Sequence, residues 1–442
     1  MDRELFQTLQ HDFPSPLLHL PPAIHDSMHD LTLLTTRFFS WVHLWLPIID
    51  KSSLQSQLAK QPLHLNQDVQ ILLFCMKLVM WAPGRDGTTR NPRTNEYHLA
   101  KQCCSAAEDA GMLTLQMLQA QILVSVYELA HGIYPAAYLT VGTCVRYGIA
   151  LTLNKQRSTD VQGFTLADQE ERRRVWWSSI ILDRVISHST PTGPDPQPSD
   201  LLPLHDREWD EGRLNAQPST VSAPSDVNMG MFARLSQAAY LMGRVVHHRE
   251  HPTGDTSFDT DEAVRLDGAL RALLNLTYEE GATRLMQICP QTAICFSALI
   301  KLHARPLRPQ NETHELDNDY RHHNRIADTM RLLRAVADQS TLSTVLFFRR
   351  EPWSIEKSSP FLLHWTYVIA VTYLDARNYL EQQAGSPDYY NGREDALALM
   401  HEADQGYETM RRKLALLGAQ WCAADGYLQM LDVRASWTGL VS

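Results

Sequence analysis

The chain has 442 residues, enough for one large or two ordinary domains, and its 44% hydrophobic and 20% charged residues suit a globular protein with a real core. Fifty acidic against 40 basic side chains give a formal net charge of −10, which excludes the molecule as a whole from being a phosphate-binding surface. Seven cysteines occur without any C-x2-C spacing, so neither a zinc site nor a redox dithiol is indicated, and a reducing compartment is implied.

Along the chain, residues 1–27 hold several prolines and histidines and read as a loosely ordered lead-in. No apolar leader opens the sequence, so secretion is not expected. From Asp30, the three- and four-residue steps of Leu31, Leu34, Phe38, Trp41 and Trp45 predict one face of a helix, ended by Pro47. A second helix is predicted over Asp68–Trp81, followed by a polar turn at Gly84–Asn95. Helices over Ala100–Ala110, Leu115–His131 and Pro135–Leu153 come next. The second is stopped by Gly132, and the third places Tyr138, Val141, Val145 and Ile149 on one side.

A loop at Lys155–Gly163 leads to Thr165 and Asp168, which have the spacing of a capping box. Residues 189–228, rich in Pro, Ser, Asp and Gly, are expected to form a long loop or partly ordered linker. Helical pattern resumes at Gly230–His248, Asp261–Leu276, Gly281–Ala304, Asp319–Gln339, Ser359–Gln382 and Arg393–Leu417. No segment alternates as a half-buried strand would, and no repeat of fixed period is present. The expected fold is all-α, roughly a dozen helices over 28–442 interrupted by the proline-rich loop. The longest apolar stretches, Ile71–Ala82 and Phe361–Leu374, fall short of the ~20 residues that span a bilayer, so no membrane association is expected.

The most informative run is Glu170-Glu171-Arg172-Arg173-Arg174-Val175-Trp176-Trp177-Ser178-Ser179-Ile180-Ile181-Leu182-Asp183-Arg184. Arginines beside a tryptophan pair can stack on aromatic rings and pair with buried carboxylates, which would fix how this helix seats. Periodicity alone favours the blander alternative of a solvated charge run followed by core. Glu170 and Arg174 also stand four apart, a spacing that supports a helix by a few tenths of a kcal/mol. The other basic runs, Arg349-Arg350 and Arg411–Lys413, are short and flanked by acids or apolar residues. His247-His248-x-x-His251 and His322-His323 have the residue type of metal ligands, but the first group ends a helix just before a proline, where histidines satisfy terminal carbonyls, and no metal site is expected. Sequence patterns of phosphate-binding loops, dinucleotide folds and hydrolase nucleophile elbows are absent. No catalytic residue, cofactor or metal is therefore expected.

The run resembles the central helix of the fungal-specific transcription factor domain, the middle homology region of fungal zinc-cluster regulators. Other stretches agree with that resemblance in the correct order. Phe38-Phe39 through His43 to Pro47-Ile48-Ile49-Asp50 is similar to the family's opening motif, although Leu44-Trp45-Leu46 stands where many members carry a proline and an aromatic residue. Ala120–Tyr127 and Ala137–Leu153 resemble the paired helices before the central one. Leu202-Pro203-Leu204-His205-Asp206-Arg207-Glu208-Trp209-Asp210 resembles the loop after it. The resemblance implies structural roles for Pro47, Asp50, Arg173, Arg174, Trp176, Trp177, Asp183, Arg184 and Trp209.

It also implies a nuclear transcription regulator governing a metabolic or secondary-metabolite gene set, controlled by protein partners or a small-molecule effector. Family members usually carry an N-terminal cluster of six cysteines that contacts DNA, and these 442 residues contain none. Specific DNA binding by this chain alone is therefore not expected. Action through a homodimer or heterodimer with a DNA-binding factor, or an upstream exon carrying the cluster, would supply it. The alternatives are a helical ligand-binding protein or enzyme sharing the fold, and a structural scaffold.

Overall fold

Most helices of the first half start at a side chain that accepts a backbone N–H. In a computed structural model, which describes residues 18, 20–22, 24, 30–60, 65–84, 90–155, 164–187, 191–214, 216–224, 226–284, 290–303, 355–384 and 393–438, Asp30 caps α1 (Leu31–Trp41), accepting from Leu33 N at 2.8 Å. This helix ends sooner than its apolar spacing predicts. Turns at residues 42–45 swing Trp45 into the core, edge-on to Phe361. Asp50 then starts α2 (Lys51–Lys60), its carboxylate accepting from Ser53 N and Ser52 Oγ. This helix has no apolar stripe to announce it, so the sequence shows only a turn there.

α3 (Gln67–Val79) and α5 (Leu115–Ala130) form the centre of the body. Both are buried on nearly all sides, α5 to the point of enclosing Gln119, Gln121, Ser125 and Glu128. Between them α4 (Asn95–Asp109) begins five residues before its apolar pattern does, because Thr94 caps it. Gly132, at φ +66°, ends α5, where only glycine adopts the left-handed conformation without strain. α6 (Ala136–Ala150) buries Val141, Cys144, Val145 and Gly148. Ile149, expected on that face, is 41% exposed because the buried stripe runs one residue to its side.

A short 3-10 turn (Leu153–Lys155) precedes α7 (Leu166–Ile186), and the Thr165–Asp168 capping box forms in full. α7 packs against α5, α6 and α9 (Met231–Glu250).

The proline-rich segment is not a loose linker. It carries α8 (Asp206–Asp210) and a single antiparallel bridge between Leu201 and Thr220, and it buries Leu202, Leu204, Trp209 and Val221. Beyond α9 lie α10 (Thr256–Arg284), α11 (Pro290–His303), α12 (Phe361–Ala384), α13 (Arg393–Leu417) and α14 (Ala423–Thr438). α10 starts earlier than predicted because Asp255 caps it. α11 starts later, at Pro290, the residue type suited to a first helical position. α14 was not predicted. The predicted helix Asp319–Gln339, Arg349-Arg350 and most of the lead-in 1–27 lie outside the described residues.

The C-terminal helices dock back on the first half. His131, at the end of α5, packs against Tyr127 and Trp421 and accepts a hydrogen bond from Cys422 N. Burial pushes this imidazole down to about 3, so it remains neutral. Among the described residues the fold is all-α, and no helix is long and apolar enough to cross a membrane.

The tryptophan pair is expected to be buried as a unit, but the two rings part company. Trp177 is 2% exposed and donates from Nε1 to Leu201 O at 2.8 Å. Trp176 is only partly buried, because consecutive helical residues point about 100° apart and its ring lies on Gly148 towards the surface. Trp177→Ala should therefore lower stability by about 3–5 kcal/mol, and Trp176→Ala by less than half of that. Denaturant midpoints of the two variants check this ordering, and equal losses would refute it.

Candidate functional site

Two clusters of charge are buried along α7, one near each end. In the first, Glu170 is fully enclosed. Its Oε1 accepts from Arg174 Nε at 2.7 Å and from Leu204 N at 2.8 Å, and its Oε2 accepts from Arg173 Nη1. Arg174 spends its remaining donors on Asp206 Oδ1 (2.8 Å) and Leu204 O (2.8 Å), with a long contact to Pro47 O at 3.5 Å. Its guanidinium lies 4.1 Å from the Trp209 ring centroid. A desolvated cation–π contact of this kind contributes on the order of 2 kcal/mol. Asp206 Oδ2 accepts from Phe232 N at the start of α9. A Cβ at Gly230 would stand 2.7 Å from Asp206 N, so the approach requires glycine. One carboxylate and one guanidinium thus join α7, the proline-rich segment and α9.

Trp209 has a second partner. The His43 ring stacks on it at 5.7 Å, and His43 Nε2 pairs with Asp210 Oδ1 at 3.0 Å. Burial raises the Asp210 pKa, but the hydrogen bond and charge of His43 outweigh that and hold it below the ordinary value.

The second cluster is Asp183 with Arg184, both enclosed. Asp183 accepts from Thr192 N, Thr192 Oγ1 and Gly193 N at 2.7–3.0 Å. Arg184 donates to Pro194 O and Asp195 Oδ1 and pairs with Asp183 itself. Gly243 of α9 makes room for it: a Cβ there would lie 2.9 Å from Arg184 Nε. Between the clusters, the Trp177–Leu201 bond ties down the middle. The proline-rich segment is a strap held to α7 at three points.

Glu171 links a further element. Its Oε1 accepts from Asp50 N (2.9 Å) and Gln119 Nε2 (2.8 Å), and Gln119 also donates to Ile48 O. Desolvation raises the Glu171 carboxyl to about 7, the two donors offsetting only part of the effect.

The nine residues singled out in sequence are thereby placed. Arg173, Arg174, Trp177, Asp183, Arg184 and Trp209 sit in or on the buried clusters. Pro47 touches the first through its carbonyl. Asp50 caps α2 and reaches α7 only through its backbone, and Trp176 stands at the rim. Sequence reading missed Asp206, Asp195, Gly230, Gly243 and Glu171. It gave Glu170 only the weight of a helical i,i+4 pair, where its full burial makes it central. The acidic strap residues carried no signal of their own in the sequence, since the four arginines of α7 are matched in number by its four acids.

Residues 35–208 match the fungal specific transcription factor domain. The chain is similar to the transcription factor BOA15 of Botryotinia fuckeliana, with 40% identity over 149 residues covering 33% of this chain and 82% of that protein. It is also similar to the C6 finger domain transcription factor adaR of Aspergillus niger, 28% identical over 42% of this chain and 26% of adaR. A third relative is the pigment biosynthesis transcriptional activator pigB of Monascus ruber, 27% identical over 34% of this chain and 28% of pigB. The chain thus spans most of the first relative and about a quarter of each of the others. No solved structure matches it.

Arg174→Ala should lower stability by about 3–5 kcal/mol, because it strips the buried Glu170 of one of its two arginines and leaves Asp206 without its cation. Adding Glu170→Gln to that variant should recover part of the loss. A purely additive double mutant would show that the pair is not coupled.

Glu171 has a pH signature of its own. Its folded pKa lies above the ordinary value of 4.5, so between 4.5 and about 7 the folded chain holds a proton that the unfolded chain has lost. Its contribution is therefore complete below pH 4.5 and declines as pH rises through about 7. Glu171→Gln should raise stability at pH 8 by about 1–2 kcal/mol, less than the full shift because part of the side chain still meets water. At pH 4 it should change little. Unfolding free energies of variant and parent across this range give the difference, which cancels other titrating groups.

Proposed function

The chain belongs to the fungal-specific transcription factor domain family, and from that premise we propose that it is a nuclear transcription regulator. In this reading it supplies the regulatory body and acts through partners or a small-molecule signal. The observation that carries the reading is the match over residues 35–208, which spans α1 to the start of α8 and takes in both ends of the α7 charge network. The relatives with printed functions are transcription factors, not enzymes. pigB is named for pigment biosynthesis, which favours a secondary-metabolite gene set as the target.

The buried acids also speak for a structural rather than a catalytic use. Glu170 and Asp183 are each engaged by arginine and backbone N–H donors, and Glu128 by Tyr97 and Lys101. A general acid or base needs an open side towards a substrate. Sequence-specific DNA contact belongs, in this proposal, to a partner or to a zinc-cluster segment outside these 442 residues. The net charge of −10 disfavours phosphate contact by the body itself.

Two measurements test the proposal. Fused to an unrelated DNA-binding domain, the chain should change expression of a reporter carrying that domain's site, and Arg184→Glu, which breaks the second cluster, should abolish the effect. Purified alone and titrated at moderate salt, it should not discriminate a candidate promoter duplex from a random one. An inert fusion that is folded and present in the nucleus would overturn the regulatory reading. Discriminating binding at sub-micromolar concentration by the chain alone would overturn the assignment of DNA contact to another segment.

A further inference from the structure

A small cavity opens against the middle of α7. Its walls are Leu153 and Asn154 from the 3-10 turn, Arg173, Trp176 and Trp177 from α7, and Leu201 from the strap, with Asp200 at one side. Its volume is ≈ 20 Å³, room for about one oxygen atom and not for a ring. On two of these residues, Arg173 and Asn154, a buried polar atom has no hydrogen-bond partner. Arg173, 7% exposed, uses Nη1 on Glu170, but its Nε–H has no acceptor, and Asn154 Oδ1 has no donor. Leaving such groups unsatisfied is costly, so the site favours an occupant that meets both.

We propose that this cavity is a ligand anchor that takes the hydroxyl group of an aromatic alcohol or phenol, with the ring held outside against Trp176. The chemistry selects the group. Arg173 Nε can only donate and Asn154 Oδ1 can only accept. A hydroxyl both accepts and donates through one heavy atom, which fits the volume. A carboxylate cannot donate to Asn154, needs room for two oxygens and would face the acid of Asp200. An ammonium has no lone pair for Arg173. Water has the correct hydrogen bonds and is the occupant that a ligand hydroxyl would replace with little loss.

The apolar walls suit the rest of the molecule. Trp177, Leu153 and Leu201 line the cavity, and the partly exposed Trp176 offers the aromatic surface at its rim. The three elements that meet here are the 3-10 turn, α7 and the strap, so an occupant would bridge all of them. This goes beyond the regulatory reading. Binding is measured on the purified chain, so its failure would leave that reading standing.

The test is a matched pair of probes, p-cresol and toluene, which differ by the hydroxyl alone. Binding is followed by indole N–H resonances in nitrogen-15-labelled protein, with Trp176 assigned through Trp176→Phe. p-Cresol is expected to saturate with a Kd on the order of 1 mM, as its few atoms allow. It should move the Trp176 resonance, and toluene should bind about tenfold more weakly or worse. Asn154→Ala and Asn154→Ser should each weaken p-cresol by about tenfold while leaving toluene unchanged.

Saturable p-cresol binding with that preference, lost in the Asn154 variants, supports the anchor. No saturation, equal binding of the two probes, or Asn154 variants that bind p-cresol as the parent does would overturn it. The probe comparison on the parent protein needs no variant, so a misfolded variant cannot decide the question.

Discussion

The bond between Glu170 and Arg174 is the contact on which the arrangement of the first half depends. Both groups are enclosed, and each would be strongly destabilising if left alone. Together with Arg173, Leu204 and Asp206 they saturate one another, so no donor of the Arg174 fork and no oxygen of Glu170 lacks a partner. Moving any one of α7, the strap or α9 relative to the others would strand a charge. The closeness this demands explains Gly230 and, at the other end of α7, Gly243, where any side chain would collide with the ion pairs.

The strap needs this treatment because of what it is made of. A proline-rich segment forms little helix or ladder of its own, so many of its carbonyls and remaining N–H groups must find partners elsewhere. α7 supplies them from charged side chains: Arg174 for Leu204 O, Glu170 for Leu204 N, Arg184 for Pro194 O, and Asp183 for the N–H groups of Thr192 and Gly193. The Trp177 indole takes Leu201 O. Glu170, Arg174 and the Asp183-Arg184 pair thus satisfy a length of irregular chain. Such a chain lies in the interior only when it is paired in this way.

Much of this was legible in advance, and the failures have identifiable causes. Apolar spacing gave the all-α class and the course of α3, α5, α7, α12 and α13, and the Thr165–Asp168 capping box was visible as a spacing of three. Helix ends set by caps rather than by apolar residues were misplaced, as at Thr94 and Asp255. Helices with little apolar periodicity, α2 and α14, were missed. A long loop was expected at the strap but not its burial, because composition reports what a segment cannot form by itself and is silent about side chains far away in sequence that satisfy it. Glu170 was undervalued for a related reason. An i,i+4 pair has the same spacing exposed or buried, but its energetic weight changes by an order of magnitude with burial. The Trp176-Trp177 pair could be assigned to opposite sides of the burial line only once the neighbours of α7 were known.

A well-packed apolar cluster of the same volume would hold α7 as firmly as these ion pairs do, or more so. What it would not do is fix direction. Apolar contact is proportional to area and indifferent to register, so a strap held by leucines could slide along the helix at little cost. Hydrogen bonds to Thr192 N, Leu201 O and Leu204 N specify which strap residue faces which turn of α7. The consequence is a body whose irregular segment has one seating, set at both ends by charge and at the middle by one indole. Any partner or ligand that competes for one of these bonds must displace a charged group from its partners, and the effect is then felt in α7 and α9 together.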